Sequence, residues 1–295
     1  MQQKNIHWFP GHMLKALREI KERLKIVDLV IEVIDSRAPI SSKNPFLNEI
    51  IKDKKKMIVL TKKDLCDEKK INSFLSYYEK ENYRTILANL NDAIDIKRIT
   101  GLANELGKER QEKYIKRGMK PQPLRVMIIG IPNVGKSTLI NRLVKKSAAS
   151  ARNTPGHTKA QQWIRINKDF ELLDTPGILS PHYEDKKVAM NLALIGSIKD
   201  EILPIDEIYS HLIDFLILNY LAEFKARYKL NLEEYQEDKI TQEIGKNRGL
   251  LLKGGEVDAD SVKKLIIKEF RAGLIAKVVV DEDVGLWKKY LFVGI

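Results

Sequence analysis

Short apolar runs recur along the first part of the chain, and the strongest are followed by polar loops. The run at 26–34 is rich in β-branched residues and nearly all apolar, and the runs at 57–60 and 124–129 have a similar composition. Strands of a parallel sheet look like this because helices cover both of their faces. We predict strands at 26–34, 57–60, 84–87, 124–129, 164–166 and 170–173.

Helical spacing of apolar residues marks other segments. Helices are predicted at 16–25, 68–81, 205–228, 238–246 and 258–271. The basic stretch 105–123, which closes with Pro-Gln-Pro, is predicted to be a connecting segment. From about residue 185 onward the strand pattern nearly disappears, so this part of the chain is predicted to be helical.

The order of these elements predicts the fold class. Strands that alternate with helices, with polar loops at their carboxyl ends, are typical of an α/β domain with a doubly wound, mostly parallel sheet. A small all-α domain follows. We predict the α/β domain at 1–183, a linker helix at 184–200 and the helical domain at 201–295.

The charge balance narrows the class of partner. Lysine and arginine number 52 against 40 acidic residues, which gives a formal net charge of +12. This excess favours a polyanion, with nucleic acid first and an anionic membrane surface second. A protein that is merely rich in lysine has the same composition.

Cysteine and histidine usage restricts other chemistry. The single cysteine, Cys66, excludes a disulfide within the chain and a thiolate metal cluster. The five histidines lack the spacing of a zinc site. No signal peptide is recognisable and the longest apolar run is short for a membrane span, so we expect a cytoplasmic protein with no disulfide partner and no membrane contact.

A phosphate-binding motif follows the run at 124–129. Gly130 to Ser137 reads G-I-P-N-V-G-K-S, a complete G-x-x-x-x-G-K-S match between a predicted strand and a predicted helix. The two glycines let successive N–H groups point at phosphate oxygens. Lys136 is expected to reach the β- and γ-phosphates, and the Ser137 hydroxyl is a hard ligand for Mg²⁺.

The motif D-T-P-G follows the run at 170–173. Asp174 can hold Mg²⁺ through water, and the Gly177 N–H can bind the γ-phosphate. The same letters also occur in ordinary turns. Their position after a P-loop favours a role at the phosphates.

The motif T-K-K-D, from Thr61 to Asp64, follows the run at 57–60. The Asp64 carboxylate can accept hydrogen bonds from N1–H and N2–H₂ of guanine, and Lys62 is expected to lie along the base. Alone, these letters are typical of a solvated strand end; beside the other two motifs they favour a guanine site. The motif precedes the P-loop, which reverses the order found in translation-factor-type GTPases.

This order resembles the circularly permuted GTPases, and five blocks are similar to the ribosome biogenesis GTPase A family. They are H-W-F-P-G-H-M at 7–13, D-S-R-A-P-I-S-S-K-N-P at 35–45, G-I-P-N-V-G-K-S-T-L-I-N-R-L at 130–143, P-G-H-T-K-A-Q-Q-W at 155–163 and L-L-D-T-P-G-I-L at 172–179. The resemblance covers almost the whole chain. It implies a circularly permuted P-loop GTPase domain that binds GTP or GDP with Mg²⁺, and K⁺ as in potassium-stimulated members.

The resemblance also implies roles for single residues. The implied nucleotide contacts are Thr61, Lys62, Asp64, Asn89, Asn133, Val134, Gly135, Lys136, Ser137, Thr138 and Gly177. The implied metal ligands are Ser137, Thr158 and Asp174 for Mg²⁺ and Asn133 for K⁺. Thr61 stands where the family usually has an asparagine that helps tie the base loop to the P-loop. A threonine also occurs there in Rho-type small GTPases, so guanine preference is expected to persist.

The sequence lacks one residue that usually supports GTP hydrolysis. Many GTPases place a glutamine directly after D-x-x-G to orient the attacking water, whereas Ile178 stands here, so intrinsic turnover should be slow. The resemblance implies His12 as the catalytic group. The residue pattern alone favours capping or packing for His12, and His157 beside Thr158 is the local alternative.

The predicted helix at 258–271 has an apolar face, and Lys264, Lys268 and Arg271 lie on the other. This pattern fits a solvated outer face as well as an RNA-binding surface. The resemblance implies contact with rRNA and ribosomal proteins of the large ribosomal subunit.

We therefore predict a GTP-hydrolysing assembly factor that binds the large-subunit precursor and is stimulated by it. Hydrolysis would be coupled to a late maturation step and to release of the factor. A constitutive rRNA-binding protein that uses GTP as a structural ligand is the alternative. An ATPase is disfavoured by Asp64.

Overall fold

The computed structural model describes most of the chain. The described residues are 18, 20–44, 47, 50–51, 53–120, 122–148, 163–166, 170–173, 186–198, 203–231 and 233–282.

The described strands form one sheet. They are β1 (Leu29–Asp35), β2 (Lys55–Thr61), β3 (Arg84–Leu87), β4 (Leu124–Ile129), β5 (Trp163–Arg165) and β6 (Phe170–Leu173). Their order across the sheet is β3-β2-β1-β4-β6-β5. All neighbours are parallel except β5 and β6, which pair antiparallel. The predicted α/β class with a mostly parallel sheet is confirmed.

Strand β1 lies at the centre of this sheet and sets the place of the site. It pairs with β2 from Leu29 opposite Lys55 to Asp35 opposite Thr61, and β4 lies on its other side. Strands β1 to β3 progress in one direction from β1, and β4 and β6 in the other. The strand order therefore reverses between β1 and β4, which is where open α/β sheets bind ligands at the carboxyl ends of their strands.

Eight α-helices have described bounds. They are α1 (Glu68–Lys80), α2 (Ala93–Lys116), α3 (Lys136–Ala148), α4 (Lys186–Leu194), α5 (Ile205–Asn219), α6 (Leu221–Tyr228), α7 (Glu237–Arg248) and α8 (Ala259–Arg271). Aspartate caps begin α1, α2 and α8, where the carboxylates of Asp67, Asp92 and Asp258 accept backbone N–H groups of the first turn.

The structure corrects the prediction of a connecting segment at 105–123. Helix α2 continues to Lys116, so the first half of that stretch is helical. Glutamate, lysine, arginine and glutamine favour helices, but these polar residues leave only a weak apolar pattern. Gly107 lies inside this helix. An added Cβ there would lie 3.0 Å from the Leu124 side chain, so glycine allows the helix and β4 to approach closely.

Other bounds shift by a few residues. The segment Leu24–Ile26 is a 3-10 turn, so β1 begins at Leu29. The predicted helix at 205–228 is two helices, because Tyr220 leaves the helical conformation with φ −143°. In the predicted helix at 16–25, residues 18 and 20–23 are helical, and the other positions before the turn lie outside the described residues.

The helices after β6, which we call the helical unit (residues 186–271), share a core with the sheet. The largest cluster of buried apolar side chains runs from Val33 and Ile128 of the sheet to Tyr209 and Phe270 of the helical unit. Helix α4 lies inside the predicted linker range 184–200. None of the helices in the described ranges is both long and apolar enough to cross a bilayer.

After α8 the chain returns to the sheet through a turn and then a stretch without helix or strand; we call residues 273–281 the carboxyl-terminal strap. Val279 of the strap packs in a buried cluster with Ile34 of β1 and Leu60 of β2. The strap therefore lies against the edge at which β1 and β2 end.

Candidate functional site

The loop after β4 has the backbone that a phosphate-binding loop needs. Gly130 has φ +149°, and a Cβ there would lie 2.3 Å from the carbonyl oxygen of Val33. Gly135 has φ +103° and faces Leu90 and Thr61. Both positions require glycine, because a side chain would be strained at Gly135 and would collide with the neighbouring strand at Gly130.

The two residues that follow Gly135 begin helix α3. The Lys136 side chain is nearly buried, with 8% exposed, and its ammonium donates to the Ile131 carbonyl oxygen at 2.7 Å. Ser137 and Thr138 are exposed in the first turn of α3. The amino-terminal end of α3, with its positive dipole, therefore lies beside a cation and two exposed hydroxyls, which suits a bound phosphate.

The motif Thr61–Asp64 lies against this loop, although it comes much earlier in the chain. The buried Thr61 hydroxyl donates to the Val134 carbonyl oxygen at 2.6 Å. Its oxygen also lies 3.1 Å from the carbonyl oxygen of Ile34, at the end of β1. The threonine thus forms the link for which the family usually has asparagine.

We call residues 61–65 the base loop. Lys62 has a left-handed backbone with φ +58° and Asp64 is exposed in the following 3-10 turn. The Lys62 ammonium lies 2.7 Å from a carboxylate oxygen of Asp35, the last residue of neighbouring strand β1. Lys62 thus ties the base loop to β1, while Asp64 remains open to solvent.

Asn89 lies directly beyond β3, beside the base loop. The N–H of Lys63 donates to the Ala88 carbonyl oxygen, so the two loops are in contact. The Asn89 side-chain oxygen accepts from the N–H of Asn91, and its own N–H donates to Asp95. This places Asn89 at the same sheet edge as the base loop.

Asp35 and Arg37 form a buried ion pair at the centre of that edge. The Arg37 guanidinium donates from Nε and Nη2 to the two Asp35 oxygens at 3.0 and 2.8 Å, and only 2% of Arg37 is exposed. Burial alone would raise the pKa of Asp35. The Arg37 guanidinium and the Lys62 ammonium outweigh burial, so this pKa lies below its usual value.

Four successive carbonyl groups at the end of α4 accept hydrogen bonds from three different parts of the chain. Arg271 donates to Ala193 and Leu194, Arg37 donates to Ile195 at 3.1 Å, and the Asn133 amide donates to Gly196 at 2.8 Å. The orphan carbonyls of a helix end are thus used as an anchor. This junction joins the P-loop, the segment after β1 and α8.

The surface predicted for RNA divides into two kinds of residue. Lys264 and Lys268 are exposed on α8, as the helical periodicity requires. Arg271 is half-buried, and its guanidinium lies on the carbonyls of Ala193 and Leu194. The placement expected for Arg271 on the outer face is therefore wrong. Its guanidinium turns toward the end of α4, because the carbonyl groups there accept its hydrogen bonds.

Several predicted site residues lie outside the described residues. They are His12, His157, Thr158, Asp174 and Gly177. Strand β6 ends at Leu173, immediately before Asp174, and is paired with β4, which leads into the P-loop.

Sequence reasoning missed the roles of Asp35, Arg37 and Asp281. Asp281 is buried, and its carboxylate accepts from the N–H groups of Ile40 and Ser41 at 2.6 and 2.9 Å. The charged pair at the end of a nearly all-apolar run was a signal for the first two. Asp281 follows the apolar run 278–280, but its partners lie about 240 residues away, beyond any local pattern.

Comparison with family models places the chain among GTPases. The model described as 50S ribosome-binding GTPase matches residues 125–244. A second model, RsgA GTPase, matches residues 46–184.

Curated relatives match over nearly their full length. Ribosome biogenesis GTPase A of Bacillus cereus is 43% identical over 275 residues, covering 92% of this chain and 92% of the relative. The protein of the same name in Bacillus licheniformis is 43% identical and covers 90% and 94%.

A solved structure agrees with the fold. The crystal structure of GNP-bound YlqF from T. maritima superposes with a TM-score of 0.63 at 26% identity, covering 92% of this chain and 99% of that one.

Proposed function

The chain belongs to the ribosome biogenesis GTPase A family and is a GTPase of ribosome assembly, and we propose that it acts on the precursor of the large ribosomal subunit. In this proposal hydrolysis of GTP is coupled to a late maturation step and to release of the protein. The observation that carries the GTP site is the hydrogen bond from Thr61 to Val134, because it joins the base loop to the P-loop despite their reversed order.

In the proposed complex the P-loop binds the phosphates. The N–H groups around Gly135 and the first turn of α3 donate to phosphate oxygens. The Lys136 ammonium, which lies on the Ile131 carbonyl, would move to the β- and γ-phosphates. Asp64 accepts the two donors of the guanine edge. The remaining proposed contacts are Thr61, Lys62, Asn89, Asn133, Val134, Thr138 and Gly177.

Mg²⁺ fits the residues at this site. The Ser137 hydroxyl is exposed beside Lys136, and hydroxyl and carboxylate oxygens are the ligands that Mg²⁺ prefers. We propose Ser137, Thr158 and Asp174 as its ligands. When bound, Mg²⁺ neutralises charge on the phosphates.

K⁺ is proposed at Asn133. Its amide nitrogen donates to the Gly196 carbonyl, so its side-chain oxygen is held at the surface of the P-loop. A carbonyl-type oxygen suits a potassium ion. Turnover in KCl compared with NaCl, for the wild type and Asn133→Ala, tests the assignment.

For hydrolysis we propose His12 as the group that positions the attacking water. Ile178 supplies no hydrogen bond where many GTPases have glutamine, so slow intrinsic turnover and acceleration by the ribosomal particle are expected. The test compares His12→Ala with His157→Ala, with and without large subunits. A full stimulated rate in His12→Ala would disprove the assignment.

The proposed RNA contacts are Lys264 and Lys268. Both are exposed on α8, and no acidic residue pairs with either among the described salt bridges. Arg271 is left out of this set because its guanidinium binds the end of α4. Ribosomal RNA and ribosomal proteins of the large subunit are the proposed partners, with RNA phosphates supplying most of the affinity.

The proposed release step uses the chain order. The segment after Gly177 leads directly into α4, whose last carbonyls contact the P-loop residue Asn133 and the α8 residue Arg271. Loss of the γ-phosphate would change the contact between Asn133 of the P-loop and the end of α4, and thereby the position of α8.

Sedimentation of the protein with separated ribosomal subunits tests the whole proposal. We expect binding to the large-subunit precursor with a non-hydrolysable GTP analogue and weak binding with GDP. Equal binding in both states would favour a constitutive RNA-binding protein. Binding confined to the small subunit would overturn the choice of partner.

A further inference from the structure

The back of the base loop is in contact with the carboxyl-terminal strap. The N–H of Val278 donates to the Leu65 carbonyl oxygen at 3.0 Å, and the N–H of Asp67 donates to the Val278 carbonyl oxygen at 3.4 Å. A Cβ added to Gly273 would lie 2.7 Å from Cδ2 of Leu65. The base loop is thus enclosed between the P-loop on one side and the strap on the other.

The strap itself is fixed to both parts of the molecule. The N–H of Val280 donates to the Arg37 carbonyl oxygen at 2.7 Å, next to the ion pair that holds Lys62. The Tyr220 hydroxyl, from the break between α5 and α6, donates to Asp67 at 3.1 Å and accepts from the N–H of Val279 at 3.3 Å. The Tyr220 hydroxyl therefore links the helical unit directly to the strap and to Asp67, just after the base loop.

We propose that the carboxyl-terminal strap is a positioning element of the guanine site, so that docking of the helical unit determines how tightly the protein holds a guanine nucleotide. Asp64 can accept both guanine donors only while the base loop keeps its place, and the strap supplies part of that placement through Leu65. Because binding linkage is reciprocal, a bound nucleotide stabilises the docked strap by the same factor.

This inference goes beyond the proposed action on the ribosome, since it concerns the purified chain alone. A failure here would leave the large-subunit proposal intact, and a failure of that proposal would leave this one intact. The natural readout is the ratio of the dissociation constants for IDP and GDP. Inosine lacks the 2-amino donor to Asp64, so a displaced base loop lowers this ratio, whereas general destabilisation weakens both ligands alike.

Two glycines provide a matched pair of variants. Gly273 has φ +70° and faces Leu65, whereas Gly249 has φ +67° and no atom within 4 Å of an added Cβ. Gly273→Ala and Gly249→Ala therefore carry the same backbone penalty, and only the first pushes on the base loop. We expect Gly273→Ala to weaken GDP binding about fivefold and to lower the IDP-to-GDP ratio, with both unchanged in Gly249→Ala.

Leu65→Ala removes the atom that the new Cβ of Gly273→Ala would contact. The double variant should therefore bind GDP almost as tightly as Leu65→Ala alone. The proposal is overturned if Gly273→Ala and Gly249→Ala have equal GDP affinity and an equal ratio. It is also overturned if Leu65→Ala gives no rescue.

A second pair decides the matter if Gly273→Ala does not fold. Tyr220→Phe removes the hydroxyl between Asp67 and Val279, and Tyr209→Phe removes one that contacts Thr241 within the helical unit. We expect GDP to dissociate about threefold faster from Tyr220→Phe and at the wild-type rate from Tyr209→Phe. Equal rates in the two variants would overturn the proposal.

Discussion

The Thr61 hydroxyl donates a 2.6 Å hydrogen bond to the carbonyl oxygen of Val134, which joins the base loop to the P-loop. The two residues are 73 positions apart in the chain, and the donor precedes the acceptor. Parallel strands β2 and β4 flank β1, so their carboxyl ends lie at one edge of the sheet. The spatial site is therefore independent of the order in which the chain visits it.

Replacing Thr61 with valine should weaken guanine nucleotide binding. The substitution keeps the shape but leaves the buried Val134 carbonyl without this donor, which costs about 1 kcal/mol, or about fivefold in the dissociation constant. Thr61→Asn should restore the affinity, because an amide can donate to the same carbonyl. Calorimetric titration with GDP measures both.

Thr100→Val is the control for Thr61→Val. Its hydroxyl bonds only to carbonyls of its own helix α2 among the described contacts, at Ile96 and Lys97. An equal loss of GDP affinity in the two variants would contradict a specific role for Thr61.

Removing the charge of Asp35 should destabilise the protein strongly. Asp35→Asn leaves the buried Arg37 and the neighbouring Lys62 without their anion, and breaking a buried pair in this way costs about 3 kcal/mol. Chemical denaturation at pH 7 measures the loss. Asp206→Asn removes an exposed partner of Lys263 and should cost less than about 1 kcal/mol.

The contribution of Asp35 should also depend on pH. Its pKa is lowered in the folded state, so the stabilisation is complete above the ordinary aspartate pKa and is lost as the pH falls through the lower folded value. The difference in unfolding free energy between wild type and Asp35→Asn should therefore shrink only in acid. A difference that shrank as the pH rose would contradict the assignment.

The two kinds of cation on α8 should respond differently to substitution. Lys264→Ala and Lys268→Ala should each weaken binding to ribosomal RNA and reduce the salt dependence of log K by about one unit per lysine. Arg271→Ala should instead lower the melting temperature, because the carbonyls of Ala193 and Leu194 lose the guanidinium as a donor. Lys97→Ala, at an exposed position of α2, should change neither.

Filter binding at several salt concentrations separates these outcomes. If Arg271→Ala changed the salt slope and left the melting temperature unchanged, its guanidinium would have to be an RNA contact. If Lys97→Ala reduced the slope as much as Lys264→Ala, the RNA surface would not be confined to α8.

Much of the fold was predictable because its signals are local. The apolar runs predicted the six strands of the described residues to within a few positions, and the motif after β4 located the P-loop. The break at Tyr220 was not predicted, because the apolar spacing continues across it, and the contact of the Tyr220 hydroxyl with Asp67 in another part of the fold leaves no local pattern. The contact of the Arg271 guanidinium with the end of α4 was not predicted either. Helical spacing predicts the face on which a residue lies, but not the acceptors that it meets there.

The lone thiol offers a last prediction about the base loop. Burial raises the pKa of Cys66 to about 12, and the thiol lies under the Ser36 carbonyl in the cluster that contains Val279 of the strap. Since the thiolate is the reactive form, the native protein should resist alkylation at pH 8 and react only when this cluster opens. GDP should slow the reaction further. A ligand that binds only the closed form reduces the open fraction by a factor of 1 + [GDP]/Kd. The rate of iodoacetamide labelling, followed by mass spectrometry with Cys66→Ser as the blank, measures this. Rapid labelling that GDP leaves unchanged would mean that Cys66 is accessible in the native state and that its cluster does not open with the nucleotide site.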